Sequence, residues 1–209
     1  MNFENLRLMT SIYTIKNGWL KQAETNLTYE RSSPISYCPS PYCDDRGCSD
    51  ICLLVVHNIS LPPGQFGGPY IDQLFTGCLD PNEHEYFQEI HQLKVSAHCL
   101  VKRDGQVVQY VPFDKRAWHA GVSEFHGRTK CNDFSIGIEL EGCDDLPYTM
   151  QQYQQLVYIS QAIKAEYPEI NDNSITGHSD IAPGRKTDPG EYFDWKYYKA
   201  KLKQVEEGC

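Results

Sequence analysis

Ile51-Cys52-Leu53-Leu54-Val55-Val56 is an unbroken apolar run, and His57-Asn58 follows it without an intervening turn residue. A run this short, with no helical period, reads as a strand buried on both faces. A polar residue at the end of such a strand commonly faces a site, so His57 is a candidate for chemistry. The rest of the chain supplies partners for this strand. Residues 135–140 form a second strand and residues 174–176 a short one. Residues 97–102 and 106–111 flank Asp104-Gly105, a strong hairpin signal. Residues 82–93 place Tyr86, Phe87, Ile90 and Leu93 at helical spacing. Thr149 opens a helix, with Gln152 as its capping-box partner. Tyr153, Leu156, Val157, Ser160, Ile163 and Tyr167 form one stripe along it, read as core, and Pro168 closes it. A last helix covers about residues 194–205. A hairpin beside strands separated by helices predicts an α+β fold, a single domain with a central mixed sheet flanked by helices.

A length of 209 residues fits one domain with a proper core. Forty per cent apolar and 22% charged residues are ordinary for a globular chain. A net charge of −9 argues against nucleic-acid or anionic-membrane partners, though local lysines can reverse the field in one cleft. No stretch approaches the ~20 apolar residues of a membrane span, and the first residues show no export-type apolar segment. A cytoplasmic protein is therefore expected. Cys38, Cys43, Cys48 and Cys52 lie close together, but without the tight pairs typical of structural zinc sites. Independent reduced thiols are the expectation. Residues 30–50 read as loop.

The segment Thr176-Gly177-His178-Ser179-Asp180-Ile181-Ala182-Pro183-Gly184-Arg185-Lys186-Thr187-Asp188-Pro189-Gly190 concentrates charged groups in a loop set by Gly and Pro. Such a backbone is held by turn chemistry, which frees its side chains to converge. His178 and Asp188 have the character of metal ligands, and His57 is a candidate third. His98 and His119 compete, as pocket-lining groups or as contacts behind the ligands. On the strand at 135–140, Glu139 and Glu141 share a face if the strand continues, so the residues alone leave both open as a proton-transferring base. Trp118 offers an apolar face to a sugar ring, or else belongs to the core.

Four blocks, LLVVHNISLPPG (53–64), VSAHCLVKRDGQVVQYVPFDKRAWHAG (95–121), CNDFSIGIELEG (131–142) and TGHSDIAPGRKTDPG (176–190), carry a resemblance. In this order they resemble the AmpD family of 1,6-anhydro-N-acetylmuramyl-L-alanine amidases, zinc enzymes of cell-wall recycling. The resemblance spans roughly residues 17–202 and leaves residues 1–16 as an N-terminal extension to a zinc amidase domain at 17–209. It implies the N-acetylmuramoyl-L-alanine amidase/peptidoglycan-recognition fold. It also implies one Zn2+ per chain held by His57, His178 and Asp188, with Glu139 as the base. Lys186 would support negative charge on the carbonyl oxygen from a water-poor site. Glu141 is then a solvated or cap-forming acid. Substrate contacts are implied at Asn58 and the backbone of Ala182. Lys94 and Lys130 stand where the family usually has arginine, and lysine keeps the charge without the bidentate fork. The implied partner is a small muropeptide acted on by a monomer. The rival readings are an amidase of intact peptidoglycan and a recognition module that binds without cutting. Such a module lacks a zinc ligand, whereas all three candidates stand here.

Overall fold

A computed structural model describes residues 12–23, 35–47 and 50–207. Chain order is β1 (Tyr13–Lys16), β2 (Trp19–Gln22), β3 (Ile35–Tyr37), β4 (Cys43–Asp45), β5 (Leu53–Ile59), α1 (Tyr70–Thr76) and α2 (Phe87–Ile90). Then follow β6 (Cys99–Val101), β7 (Val107–Gln109), β8 (Lys115–Ala117), β9 (Glu124–Phe125) and β10 (Arg128–Thr129). The chain ends with β11 (Ser135–Glu141), α3 (Met150–Glu166), β12 (Ile175–Gly177), α4 (His178–Ile181) and α5 (Trp195–Glu207). Six strands make the central sheet in the order β12-β5-β11-β6-β7-β3. β12, β5, β11 and β6 run parallel, β7 returns antiparallel to β6, and β3 lies parallel to β7. The sheet is mixed, as the sequence predicts.

The two long strands explain the placement of the site. β5 and β11 pair in parallel register, Leu53 with Ser135 through Ile59 with Glu141. Side chains alternate between faces. Leu54 and Val56, with Ile136, Ile138 and Leu140, therefore share one face, sealed by Leu156, Val157, Ile159 and Ile163 of α3 and by Tyr198 and Leu202 of α5. The other face receives His57 together with Ser135, Gly137, Glu139 and Glu141. It is apolar toward the N-terminal ends, where Leu53 and Val55 pack on Ala120, Phe134 and Ile181, and again beside Glu139, where Leu100 and Val108 of the neighbouring strands join a second apolar cluster. One face is thus core throughout, and the other turns polar toward the carboxyl ends of the parallel strands, where open α/β sheets place ligands.

The capping box at Thr149 forms: its side chain accepts from Gln152 N–H at 3.1 Å, and Gln152 Oε1 accepts from Thr149 N–H at 3.1 Å. Gln152 Nε2 also donates to Val101 O (3.1 Å) and Glu141 O (2.8 Å), tying the start of α3 to two sheet strands. The β6–β7 hairpin forms around Asp104-Gly105, with Gly105 at φ 87°.

Two expectations need correction. The helix predicted over 82–93 shrinks to Phe87–Ile90. Polar side chains capture the backbone ahead of it: Asp80 Oδ1 accepts from Asn82 N–H (2.8 Å) and His84 Nδ1 from Tyr86 N–H (3.1 Å). Such local bonds compete with a helix start. The region read as loop over 30–50 contains β3 and β4, which pair with β7 and β8 far along the chain. Helix α1 carries no signal used above. Cys38 and Cys43 pack against one apolar cluster and Cys52 against another; Cys48 lies outside the described residues. Tyr13 is buried against α3, where its hydroxyl donates to Gln155 Oε1 at 2.6 Å, so the β1–β2 hairpin joins the core on both sides of residue 16. Among the described residues no helix is long and apolar enough to cross a membrane.

Candidate active site

Two strand ends and one loop bring the three candidate ligands together. His57 comes from β5, and His178 follows β12 directly. The loop after α4 returns to put Asp188 beside them, anchored by Ser179 N–H donating to Asp188 O at 2.9 Å. His57 Nδ1 lies 2.9 Å from His178 Nδ1 and 3.1 Å from Asp188 Oδ2, and His178 Nδ1 lies 3.0 Å from the same oxygen. The three atoms form a nearly equilateral triangle among buried or nearly buried groups.

This donor set fits zinc. Zinc–nitrogen distances of about 2.0–2.1 Å in a tetrahedron imply ligand atoms roughly 3.3 Å apart, within a few tenths of an ångström of the edges here. Two imidazoles and one carboxylate are zinc's preferred chemistry in open sites. Burial pulls the His57 imidazole down to about 4, against the Asp188 carboxylate, which pulls the other way. A neutral imidazole with a free lone pair is the form a metal needs. Burial pushes the Asp188 carboxyl up, but hydrogen bonds from His178 and His57 outweigh it and hold the group below the usual carboxylate range.

Glu139 sits in register with His57 on the neighbouring strand. It is 8% exposed, and its Oε2 is buried without a hydrogen-bond partner. Burial drives its carboxyl well above the ordinary value, the Asp188 charge adds to that, and the Lys186 ammonium opposes both. An unpartnered carboxyl with a raised pKa, beside three side chains that could hold a cation, is suited to move protons. Of the two expectations for Glu141, two residues on, the structure shows the capping acid and not the solvated one. It is 2% exposed, its Oε1 accepting from Gly67 N–H (2.6 Å) and its Oε2 from Arg103 N–H (3.0 Å). Both oxygens are committed to backbone, so Glu141 clamps the 60–68 loop over the sheet.

His57, Asn58, Trp118, Glu139, Lys186 and Asp188 all line one cavity of about 370 Å³. Lys186 stands at its rim, exposed, rather than in the water-poor position expected. Asn58 Nδ2 donates to Asp144 Oδ1 at 2.8 Å. Trp118 stacks on Tyr42 (centroids 6.2 Å apart) and its Nε1 donates to Asp44 at 3.3 Å. The Ala182 carbonyl accepts from Arg185 and Lys186 N–H, both at 3.1 Å, closing the turn that carries Lys186. Ala182 is buried and does not line the cavity. Lys94 and Lys130 are exposed and outside the lining. The far wall is apolar, with Leu61, Phe75, Tyr86, Ile90 and Val95. Sequence reading had missed this wall. Its residues come from four segments, and only the stripe of Tyr86 and Ile90 was visible beforehand.

The sequence profile of the N-acetylmuramoyl-L-alanine amidase family matches residues 48–191. A 1,6-anhydro-N-acetylmuramyl-L-alanine amidase AmpD of Salmonella typhimurium (strain SL1344) is 64% identical over 184 residues, 88% of this chain and 91% of that protein. The protein of the same name from Escherichia coli (strain K12) is 64% identical over 162 residues, covering 77% and 88%. The crystal structure of a selenomethionine AmpD derivative superimposes with a TM-score of 0.80 at 57% identity, covering 89% of this chain and 97% of that one. The E. coli amidase AmiD, solved with the substrate anhydro-N-acetylmuramic acid-L-Ala-D-γ-Glu-L-Lys, matches at TM-score 0.53 and 25% identity over 93% of this chain and 66% of that one.

Proposed function

The chain belongs to the N-acetylmuramoyl-L-alanine amidase family, and on that premise we propose that it hydrolyses the amide joining 1,6-anhydro-N-acetylmuramic acid to the L-alanine of a muropeptide. The observation that carries the reading to named residues is Glu139 Oε2, buried and unpartnered, in register with His57 at the triangle of His57, His178 and Asp188. Those three residues would hold one zinc ion per chain. Bound there, zinc would polarise the scissile carbonyl and make water a stronger nucleophile near neutral pH.

The chain's own groups account for the proton and charge movements. Glu139 takes a proton from the attacking water as the carbon–oxygen bond forms. It returns that proton to the amide nitrogen as the carbon–nitrogen bond breaks, so the L-alanine leaves as an amine. Lys186 faces the negative charge that grows on the carbonyl oxygen. The apolar wall of Leu61, Phe75, Tyr86 and Ile90 suits the less polar side of an anhydro-sugar, and Asn58 suits its amide edge.

Lys186→Ala is expected to keep its zinc and lower kcat more than it raises KM, because the ammonium meets charge only as that charge develops. The loss should lie near the lower end of what one oxyanion donor supplies, about 10²-fold, since water at the rim screens an exposed ammonium. Steady-state kinetics on the zinc-loaded variant checks this, and a kcat equal to wild type would remove Lys186 from the reaction.

Substrate choice is tested by mass spectrometry of two digests. One contains defined anhydro-muropeptides and the other intact sacculi. Release of anhydro-N-acetylmuramic acid from the soluble fragments alone is the result expected of a cytoplasmic recycling amidase. Comparable turnover of sacculi would reassign the protein to intact peptidoglycan.

A further inference from the structure

We propose that His119 is a positioning residue whose Nδ1 accepts the Nε2–H of His57 and so holds the His57 Nδ1 lone pair toward the cation. The proposal rests on the ligand set argued above. A histidine that gives Nδ1 to a metal carries its proton on Nε2, and that N–H needs an acceptor. For His178 the acceptor is Ala120 O, 3.0 Å from Nε2. For His57 it is another imidazole, with Nε2 2.9 Å from His119 Nδ1 and the rings edge-to-face at 85°. An imidazole nitrogen accepts only when the ring's proton is on the other nitrogen. His119 Nε2 faces Ser135 Oγ at 3.2 Å, and that oxygen can take the proton's hydrogen bond. The direction is then fixed along the row, from His57 to His119 to Ser135.

Two features of the chain are arranged around this ring. Asn132 Oδ1 accepts from both His119 N–H (3.1 Å) and Ala120 N–H (2.7 Å). One side chain thereby sets the dipeptide that supplies the acceptors for both histidine ligands. Gly137 lies in β11 between Ile136 and Ile138, and a Cβ added there would collide with the His119 ring. A glycine inside a strand weakens it unless something must approach closely, and here the approaching group is His119. The acceptor is also neutral, so the only carboxylate on the triangle is Asp188 and the cation keeps more of its charge for the substrate.

The test is zinc affinity of the full-length protein, measured by competition with a chromophoric chelator. His119→Leu should bind zinc about 10- to 100-fold more weakly, the usual consequence of losing a group behind a ligand. His119→Asn should recover most of that loss, because Asn Oδ1 can occupy the place of Nδ1. Simple loss of packing would not be repaired by a smaller polar side chain. Ser135→Ala, which lets His119 carry its proton on Nδ1, should weaken binding several-fold and serves if His119→Leu fails to fold. Wild-type affinity in His119→Leu or in Ser135→Ala, or equal weakness of the Leu and Asn variants, would overturn the proposal. His57→Ala is run beside them. Undiminished affinity there would instead remove the ligand set itself.

Discussion

His178→Ala is expected to lose zinc and turnover together, with affinity falling by more than the roughly 10- to 100-fold cost of disturbing a group behind a ligand. Three atoms at 2.9–3.1 Å from one another form the triangle. Removing one leaves an imidazole and a carboxylate, too few to hold the ion against water. His57→Ala and Asp188→Ala should behave alike, although Asp188→Ala also removes the only negative charge of the three. Elemental analysis after dialysis is the direct measurement. Thermal unfolding is an independent one. A ligand that binds only the folded state raises stability by RT ln(1 + [L]/Kd), so a chelator should lower the wild-type Tm and leave that of His178→Ala where it already lies. Full zinc retention in His178→Ala would end the ligand assignment and with it the inference about His119.

Much of this site was legible in the chain, for physical reasons that differ from residue to residue. The run at 51–56 reads as a buried strand, which the structure places at Leu53–Ile59, and its register with β11 puts His57 next to Glu139. The loop at 176–190 declared itself by its Gly and Pro residues and its crowded charges. Glu139 and Glu141 could not be separated by spacing, because strand alternation puts both on one face. What separates them is that both oxygens of Glu141 are taken by the backbone N–H groups of Gly67 and Arg103, whereas Glu139 Oε2 has no partner. That distinction depends on loops 38 and 74 residues away and has no local trace. The lysines at 94 and 130 mark the opposite case. The resemblance put them near the substrate, but the fold leaves both exposed and outside the cavity. The short strands β3 and β4 escaped notice because three-residue strands are defined by their partners rather than by their own sequence. Gly137 could have been noticed: a glycine between two isoleucines in a strand signals a close approach, though not by which residue.

Glu139→Gln should separate catalysis from stability. The side chain keeps its shape and loses its ability to take a proton. Turnover should fall by about 10²–10⁴-fold, the range for removing a general base, with zinc content unchanged. The second effect has the opposite sign. Burial raises the Glu139 carboxyl in the folded protein, the Asp188 charge raises it further, and Lys186 only partly offsets them. In the unfolded chain the group ionises near the ordinary value of about 4.3. Above that pH the folded state must either keep a proton that the unfolded state has released or bury a charge. Both destabilise, and the penalty grows as pH rises through the window between the two pKa values. At pH 8, with zinc removed by chelator, Glu139→Gln should therefore melt above wild type, by about 2–4 °C for each kcal/mol recovered. Below about pH 4 the wild-type carboxyl is protonated in both states and the two melting curves should converge. A wild-type rate would show that another group moves the proton. Unchanged stability at pH 8 would show that Glu139 is solvated in the free enzyme. A slow, zinc-loaded variant that is more stable at high pH is the outcome expected of a carboxyl kept buried for its chemistry at a cost to the fold.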